Sequence, residues 1–271
     1  MPSTIMKLTS LLENETAQRW ITDPAKIVEY IKAARLGEKD DYQINKDGTV
    51  DFFSDVIFSP DTFSTLYKDE RFPHFPNTIP LKFGTVDGSF DVTSCRLKSL
   101  EGCPTDITQS FKAAYNIFPN LKGGPKRVGG DYIVTWNSAL TSLEGMAEIV
   151  ALSANLGNTS ISEEDFKYLP KKMTNLRIND CQNIKSISSL HKYVQEIGRI
   201  ISITHLNLEG GLLGLLKIKG LQTYQYGFKE EGKLAKALEI IDEFLPVKSD
   251  SDLFDCQEKL MDAGLEEYAR I

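Results

Sequence analysis

The chain has 271 residues, a formal net charge of −7 and four cysteines. That length suffices for one repeat array with its caps or for two small domains. No apolar run approaches the roughly 20 residues of a membrane span, the opening residues lack the apolar block of a secretory leader, and the acidic balance argues against wholesale phosphate binding, which needs a clustered basic surface.

Residues 1 to 22 predict a lead-in segment with a helix around Leu8 to Trp20. Asp23-Pro24 then supplies an N-cap and a proline at the first helical position, and Ile27, Val28, Tyr30, Ile31 and Ala34 form a helical stripe that Gly37 stops. Tyr42 to Asn45 and Thr49 to Phe52 alternate around Lys46-Asp47-Gly48, a hairpin signal. Val56 and Phe58 resemble a first inward strand pair. A long connection follows, from Tyr67 to Pro80, with Phe72 and Phe75 among prolines; packing onto the body is the expected fate of its apolar side chains.

From Val86 to Met146 one short phrase is written three times. Phe90, Phe111 and Tyr132 recur at one constant interval, and Cys95, Asn116 and Asn137 recur at the same interval. Each phrase closes on a Glu-Gly or Gly-Gly step that can supply the positive φ of a sharp return. A fixed period near twenty, with apolar residues two apart and a Cys or Asn five on, reads as a leucine-rich-repeat solenoid. A single coil of this kind cannot bury its own apolar face, so coils stack and pair short strands in parallel. Beyond Met146 the expected strand phrases are Val150, Leu152 and Asn155, then Leu176, Ile178 and Cys181, then Ile201, Ile203 and Leu206. Ser162 to Phe166 predicts a capped helix on the back of a coil. Leu216 to Lys219 reads as strand, Glu231 to Leu245 as a helix ending at Pro246, and Asp250 or Ser251 opens a last helix that Gly264 could bend.

The three histidines, His74, His191 and His205, do not stand at metal-ligand spacing from one another or from a Cys. A nucleophile pair of Cys103 with His74 has little sequence support, and Cys95 and Cys181 sit at inward repeat positions, where free Cys is an apolar filler. The basic, Gly-rich segment Lys122 to Gly130 lacks the Gly-Lys-Ser/Thr ending of a nucleotide loop and reads as the repeat's own turn. No metal, cofactor or catalytic residue is predicted. The candidate binding surface is instead the outward row of the parallel sheet: Asp91 and Thr93, Lys112 and Ala114, Ile133 and Thr135, Ala151 and Ser153, Arg177 and Asn179, Ser202 and Thr204. Solenoids usually bind through such a concave row. Trp136 beside Ile133 and Thr135, with Arg177, supplies the expected anchors, since Trp and Arg are common interface hot spots.

Tyr42 to Asp51, Pro80 to Asp91, Leu97 to Pro104 and the ending Asp255 to Ala269 resemble the leucine-rich-repeat proteins common in large tailed bacteriophages. The resemblance implies a phage protein acting in the host cytoplasm through binding. The resulting expectation is an α+β solenoid: a helix and hairpin cap over residues 1–55, coils over 56–209, and a C-terminal strand and helical cap over 210–271. Its function would be non-enzymatic binding of a host or phage protein, with occlusion of a host enzyme or defence factor through the concave sheet. The alternative is a structural or assembly part of the virion, and the incompletely covered ends leave room for self-association.

Overall fold

A computed structural model describes residues 20–66, 68–69, 71–72, 77–206, 208–226 and 232–270. The lead-in helix expected around Leu8 to Trp20 lies outside these residues, apart from Trp20. The fold mixes two sheets of mainly parallel strands with a few helices. Helix α1 (Pro24–Ala34) starts as its residues dictate: the Asp23 carboxylate accepts the backbone N–H groups of Ala25 and Lys26 at 2.9 and 3.1 Å. It ends short of Gly37, because Arg35 itself takes the left-handed conformation at φ 56°. Ile27, Tyr30, Ile31 and Ala34 are buried.

Strands β1 (Tyr42–Ile44) and β2 (Val50–Phe52) form the expected antiparallel hairpin. From there the chain alternates between two sheets. The first takes β4 (Phe83–Val86), β6 (Asp106–Ile107), β8 (Arg127–Val128) and β10 (Ile149–Val150) beside the hairpin. The second takes β3 (Val56–Ile57), β5 (Phe90–Asp91), β7 (Phe111–Lys112), β9 (Tyr132–Ile133) and β11 (Ser153–Asn155). It continues through β12 (Lys172–Arg177), β13 (Glu196–Ser202) and β14 (Thr223–Gln225). The sequence predicts one sheet. The six-stranded sheet escapes that reading because the three strands it takes from the later turns, β6, β8 and β10, are two residues long, too short to show alternation.

In register, Val56, Phe90, Phe111, Tyr132, Ala154, Leu176 and Ile201 form a buried column along the second sheet. Phe52, Val86, Ile107, Val128 and Val150 form its counterpart in the first. Stacking of this kind hides apolar faces that no single turn of chain could cover. Buried asparagines close the corners. The Asn116 amide oxygen accepts Leu97 N–H at 2.8 Å, while its nitrogen donates to the carbonyls of Val92, Ala113 and Ala114 at 3.0, 3.1 and 3.1 Å. Asn137 repeats the arrangement, donating to Ala113 and Val134 carbonyls.

Three expectations after Met146 need correction. The strand phrase is not Val150 with Leu152: the column passes through Ala154, and Leu152 is 48% exposed. Thr159, and not the expected Asn155, stands at the corner, donating its hydroxyl to the Leu156 carbonyl at 2.8 Å. Leu216 to Lys219 is strand-like only at Lys219, which bridges Glu196 of β13, because Leu213–Lys217 forms a 3₁₀ turn and the edge strand is β14. An unforeseen helix α2 (Pro60–Leu66) precedes the long connection, and Phe72 packs edge-on against Tyr30, centroids 5.1 Å apart. The Ser162 segment is the expected capped turn, a 3₁₀ helix over Glu163–Tyr168 whose Asp165 accepts Ser162 N–H at 3.2 Å. A short helix α3 (Leu190–Tyr193) covers the next turn. Helices α4 (Lys233–Asp242) and α5 (Asp252–Asp262) follow β14; Gly264, at φ 70°, terminates α5 and does not bend it.

Candidate interaction surface

The outward side chains of the eight-stranded sheet stand in one ladder. Strand pairing places Ile57, Asp91, Lys112, Ile133, Asn155, Arg177, Ser202 and Gln225 in successive register. Four expected site residues, Asp91, Lys112, Ile133 and Arg177, are therefore brought together, each half-buried. Thr93, Thr135 and Asn179 lie two residues further along their turns and border the ladder. Other expected members do not qualify. Ala114 is buried, Ser202 holds its register position in the ladder but is itself buried, Ser153 is buried one residue before its column position, and Ala151 is exposed but follows β10, away from the row. Asn155 takes the outward place expected of Ser153.

At the end of each strand the chain turns through a residue with positive φ. These are Ser94, Tyr115, Trp136, Asn158, Asp180 and His205, all between 56° and 61°. Backbone N–H groups tie successive members together: Tyr115 to the Thr135 carbonyl, Trp136 to Gly157, Asn158 to Asn179 and Asp180 to Thr204, at 2.9–3.1 Å. Asn and Asp tolerate this conformation; Tyr and Trp do so at a cost of order 1 kcal/mol or more. The Tyr115 and Trp136 rings nevertheless sit there, parallel within 4°, centroids 5.8 Å apart, and 54% and 53% exposed. Sequence reasoning singles out Trp136 and misses Tyr115, although Tyr115 holds the equivalent position one repeat earlier.

Beyond Trp136 the border becomes polar and bounds a depression of about 290 Å³. The Asp180 carboxylate lies 2.9 Å from His205 Nδ1 and accepts Asn179 Nδ2 at 3.1 Å. Gln182 Nε2 donates to the His205 carbonyl at 3.1 Å, Asn183 Nδ2 to Ser160 at 2.9 Å, and Ser160 Oγ to Ser138 at 2.7 Å.

The thiols are unsuited to nucleophilic work. Burial pushes Cys95 and Cys256 up to about 12 and raises Cys103 and Cys181 as well, so all four stay protonated near neutrality. His74, the other half of the weak Cys103 pair, lies outside the described residues. His191 has Nδ1 2.7 Å from the Ser188 carbonyl, and burial lowers its pKa. Among the described residues, no group of three or more His, Cys, Asp or Glu side chains could hold a metal ion, and no helix is long and apolar enough to cross a membrane. Comparison with known proteins finds no matching family model, and no curated protein or solved structure matches significantly.

Proposed function

We propose that this chain is a leucine-rich-repeat-like solenoid of phage origin that acts in the host cytoplasm by binding a protein. The contact is made by the outward face of the eight-stranded sheet, and occlusion of the bound partner is its mechanism. One observation carries the reading: two large aromatic rings are kept exposed on unfavourable backbone, beside an in-register row of accessible side chains. Strained backbone retained around exposed side chains is a mark of functional positions, and Tyr and Trp are enriched among interface hot spots. The solenoid reading is supported by the regular recurrence of the buried column; the non-enzymatic reading, by thiols held protonated.

The test uses a row variant, Lys112→Glu with Arg177→Glu, beside the wild type. Tagged protein is used to capture partners from infected cells, and any partner found is purified and titrated calorimetrically. Binding at a defined stoichiometry by the wild type, weakened at least about tenfold by the variant, is the expected result, since truncating or reversing interface anchors removes about 2 kcal/mol or more. Equal binding by both proteins removes the sheet face from the interface. A second reading, as an assembly part of the virion, is favoured by Phe254 and Met261, exposed on α5. Co-purification with particles in place of a soluble partner would support it.

A further inference from the structure

The positive-φ border is an unfinished stack. Its rungs follow the strands, which lie roughly 4.8 Å apart. Tyr115 covers one face of Trp136. The next rung, Asn158, is short, and Trp136 lines the depression there together with Asn158 and Asp180. Trp136 and Asp180 are two rungs apart, roughly 10 Å along the ladder, so a long planar side chain laid over the short Asn158 rung could set its face on the ring and its edge toward the carboxylate.

The hydrogen bonds around the depression point the same way. The side-chain amino groups of Asn179, Gln182 and Asn183, and the Ser160 hydroxyl, donate to protein acceptors. Their donor capacity is thus partly consumed within the protein, while the amide oxygens of Gln182 and Asn183 and the remaining lone pairs of Asp180 are acceptors. A carboxylate can accept at about four positions, and two contacts are accounted for on Asp180. Acceptors beside an aromatic face suit a planar cation rich in donors. A guanidinium has five N–H donors and no acceptor, stacks on aromatic faces and pairs with carboxylates.

We infer that this depression receives an arginine side chain of a basic protein partner, its guanidinium stacked on Trp136 and hydrogen-bonded to the Asp180 carboxylate. The inference rests on the protein-binding reading above and names the chemistry of the partner. The chain's net charge of −7 favours a basic one.

The test needs only the full chain and small probes. The chain has two tryptophans, so Trp20→Phe leaves Trp136 as the sole indole reporter. Its fluorescence is titrated with a capped Gly-Arg-Gly peptide and with the same peptide carrying citrulline or lysine. The arginine peptide should produce a saturable change with a Kd in roughly the millimolar range, as expected for one side chain. The citrulline peptide, nearly isosteric but neutral, should bind at least about fivefold more weakly, and Asp180→Asn should weaken the arginine response by a similar factor. Asn tolerates positive φ, so this variant should match the parent in urea midpoint. Asp262→Asn on α5, an equal change of charge elsewhere, should leave binding unaltered.

Equal responses to arginine and citrulline, an unaffected Asp180→Asn variant, or no saturable change up to about 50 mM would each overturn the inference. So would a neutral oligosaccharide that perturbs Trp136 where the arginine peptide does not. If the arginine site fails while partner capture still depends on Lys112 and Arg177, the sheet-face reading stands without it. If arginine binds but capture is indifferent to the row variant, only the sheet face is lost.

Discussion

The turns of chain between Phe83 and Gly145 and those after Ile149 solve the same packing problem differently. In the first region the buried column advances by one constant step per turn, from Phe90 to Phe111 to Tyr132. Every turn there gives a short strand to each sheet. In the second region the step lengthens, slightly on the way to Ala154 and Leu176 and further on the way to Ile201 and Tyr224. Its strands β12 and β13 are six and seven residues long, and the first sheet ends at β10. The corner between the sheets explains the change. At the last corner of the first region the chain passes through Gly129 and Gly130, where added Cβ atoms would lie 2.1 Å from the Thr108 oxygen and 2.8 Å from Ser110 Oγ. In β12 the corresponding residues are Thr174 and Asn175, and the step from the buried Met173 to Leu176 is one residue shorter than that from Val128 to Tyr132. With one residue fewer, the corner opens into a single strand with an irregular register. The longer turns spend their extra residues on back-side helices, one of which buries Phe166.

The comparison can be broken most strongly at the corners that follow the strands. Asn116→Ala strands the buried Leu97 N–H and the Val92 carbonyl, while the Ala113 and Ala114 carbonyls keep Asn137 Nδ2 and Ser94 N–H as donors, and should cost about 3 kcal/mol. Thr159→Val, its counterpart in the second region, loses one strong hydroxyl donation and should cost about 1 kcal/mol. Urea unfolding of both variants measures the difference. Similar losses would show that the two kinds of corner carry equal weight.

An alkaline titration is the next effect in size. Burial raises the thiol pKa values above the ordinary value of 9.0. Above about pH 9 the unfolded chain therefore releases protons that the folded chain retains, and stability falls as pH rises. Below that value the contribution is fully present, so the urea midpoint should be insensitive to these groups near neutrality and drop between roughly pH 9 and 10.5 under reducing conditions. In the first region burial alone raises Cys103, whereas in the second hydrogen bonds with Thr159 partly oppose the effect on Cys181. Cys103→Ala should flatten the alkaline decline more than Cys181→Ala does, and the reverse order would contradict this account.

The same contrast governs what the sequence makes legible. Phe90, Phe111 and Tyr132 repeat one chemistry at one spacing, and the asparagine corners repeat with them, so the column and its corners in the first region were legible. Ala154 gives no such signal. A small residue fits the column because burial there depends on the neighbouring turns, and the adjacent Leu152 looked the better inward residue while facing outward. Asp91, Lys112, Ile133 and Arg177 were placed together because alternation within a strand is local. The border was harder to foresee, since positive φ at Tyr115 and Trp136 defies the usual preference for Gly or Asn at such corners.

The smallest expected effect lies at Tyr132, the last large ring before the column passes to Ala154. Its hydroxyl is fully buried and has no hydrogen-bond partner among the described residues. Burial also raises its pKa, which keeps the phenol neutral. An unpartnered buried hydroxyl is unfavourable, so Tyr132→Phe should leave stability unchanged or raise it by about 1 kcal/mol. The ring would keep its packing against Phe111, now 5.0 Å between centroids. At the aligned position Ala154, by contrast, any aromatic replacement should destabilise, because the same column is already filled there by other residues. Urea midpoints of Tyr132→Phe and Ala154→Phe test both halves of the statement. A loss above about 1 kcal/mol for Tyr132→Phe would mean that the hydroxyl is satisfied in solution, and tolerance of Ala154→Phe would mean that the second region retains the ring-sized space of the first.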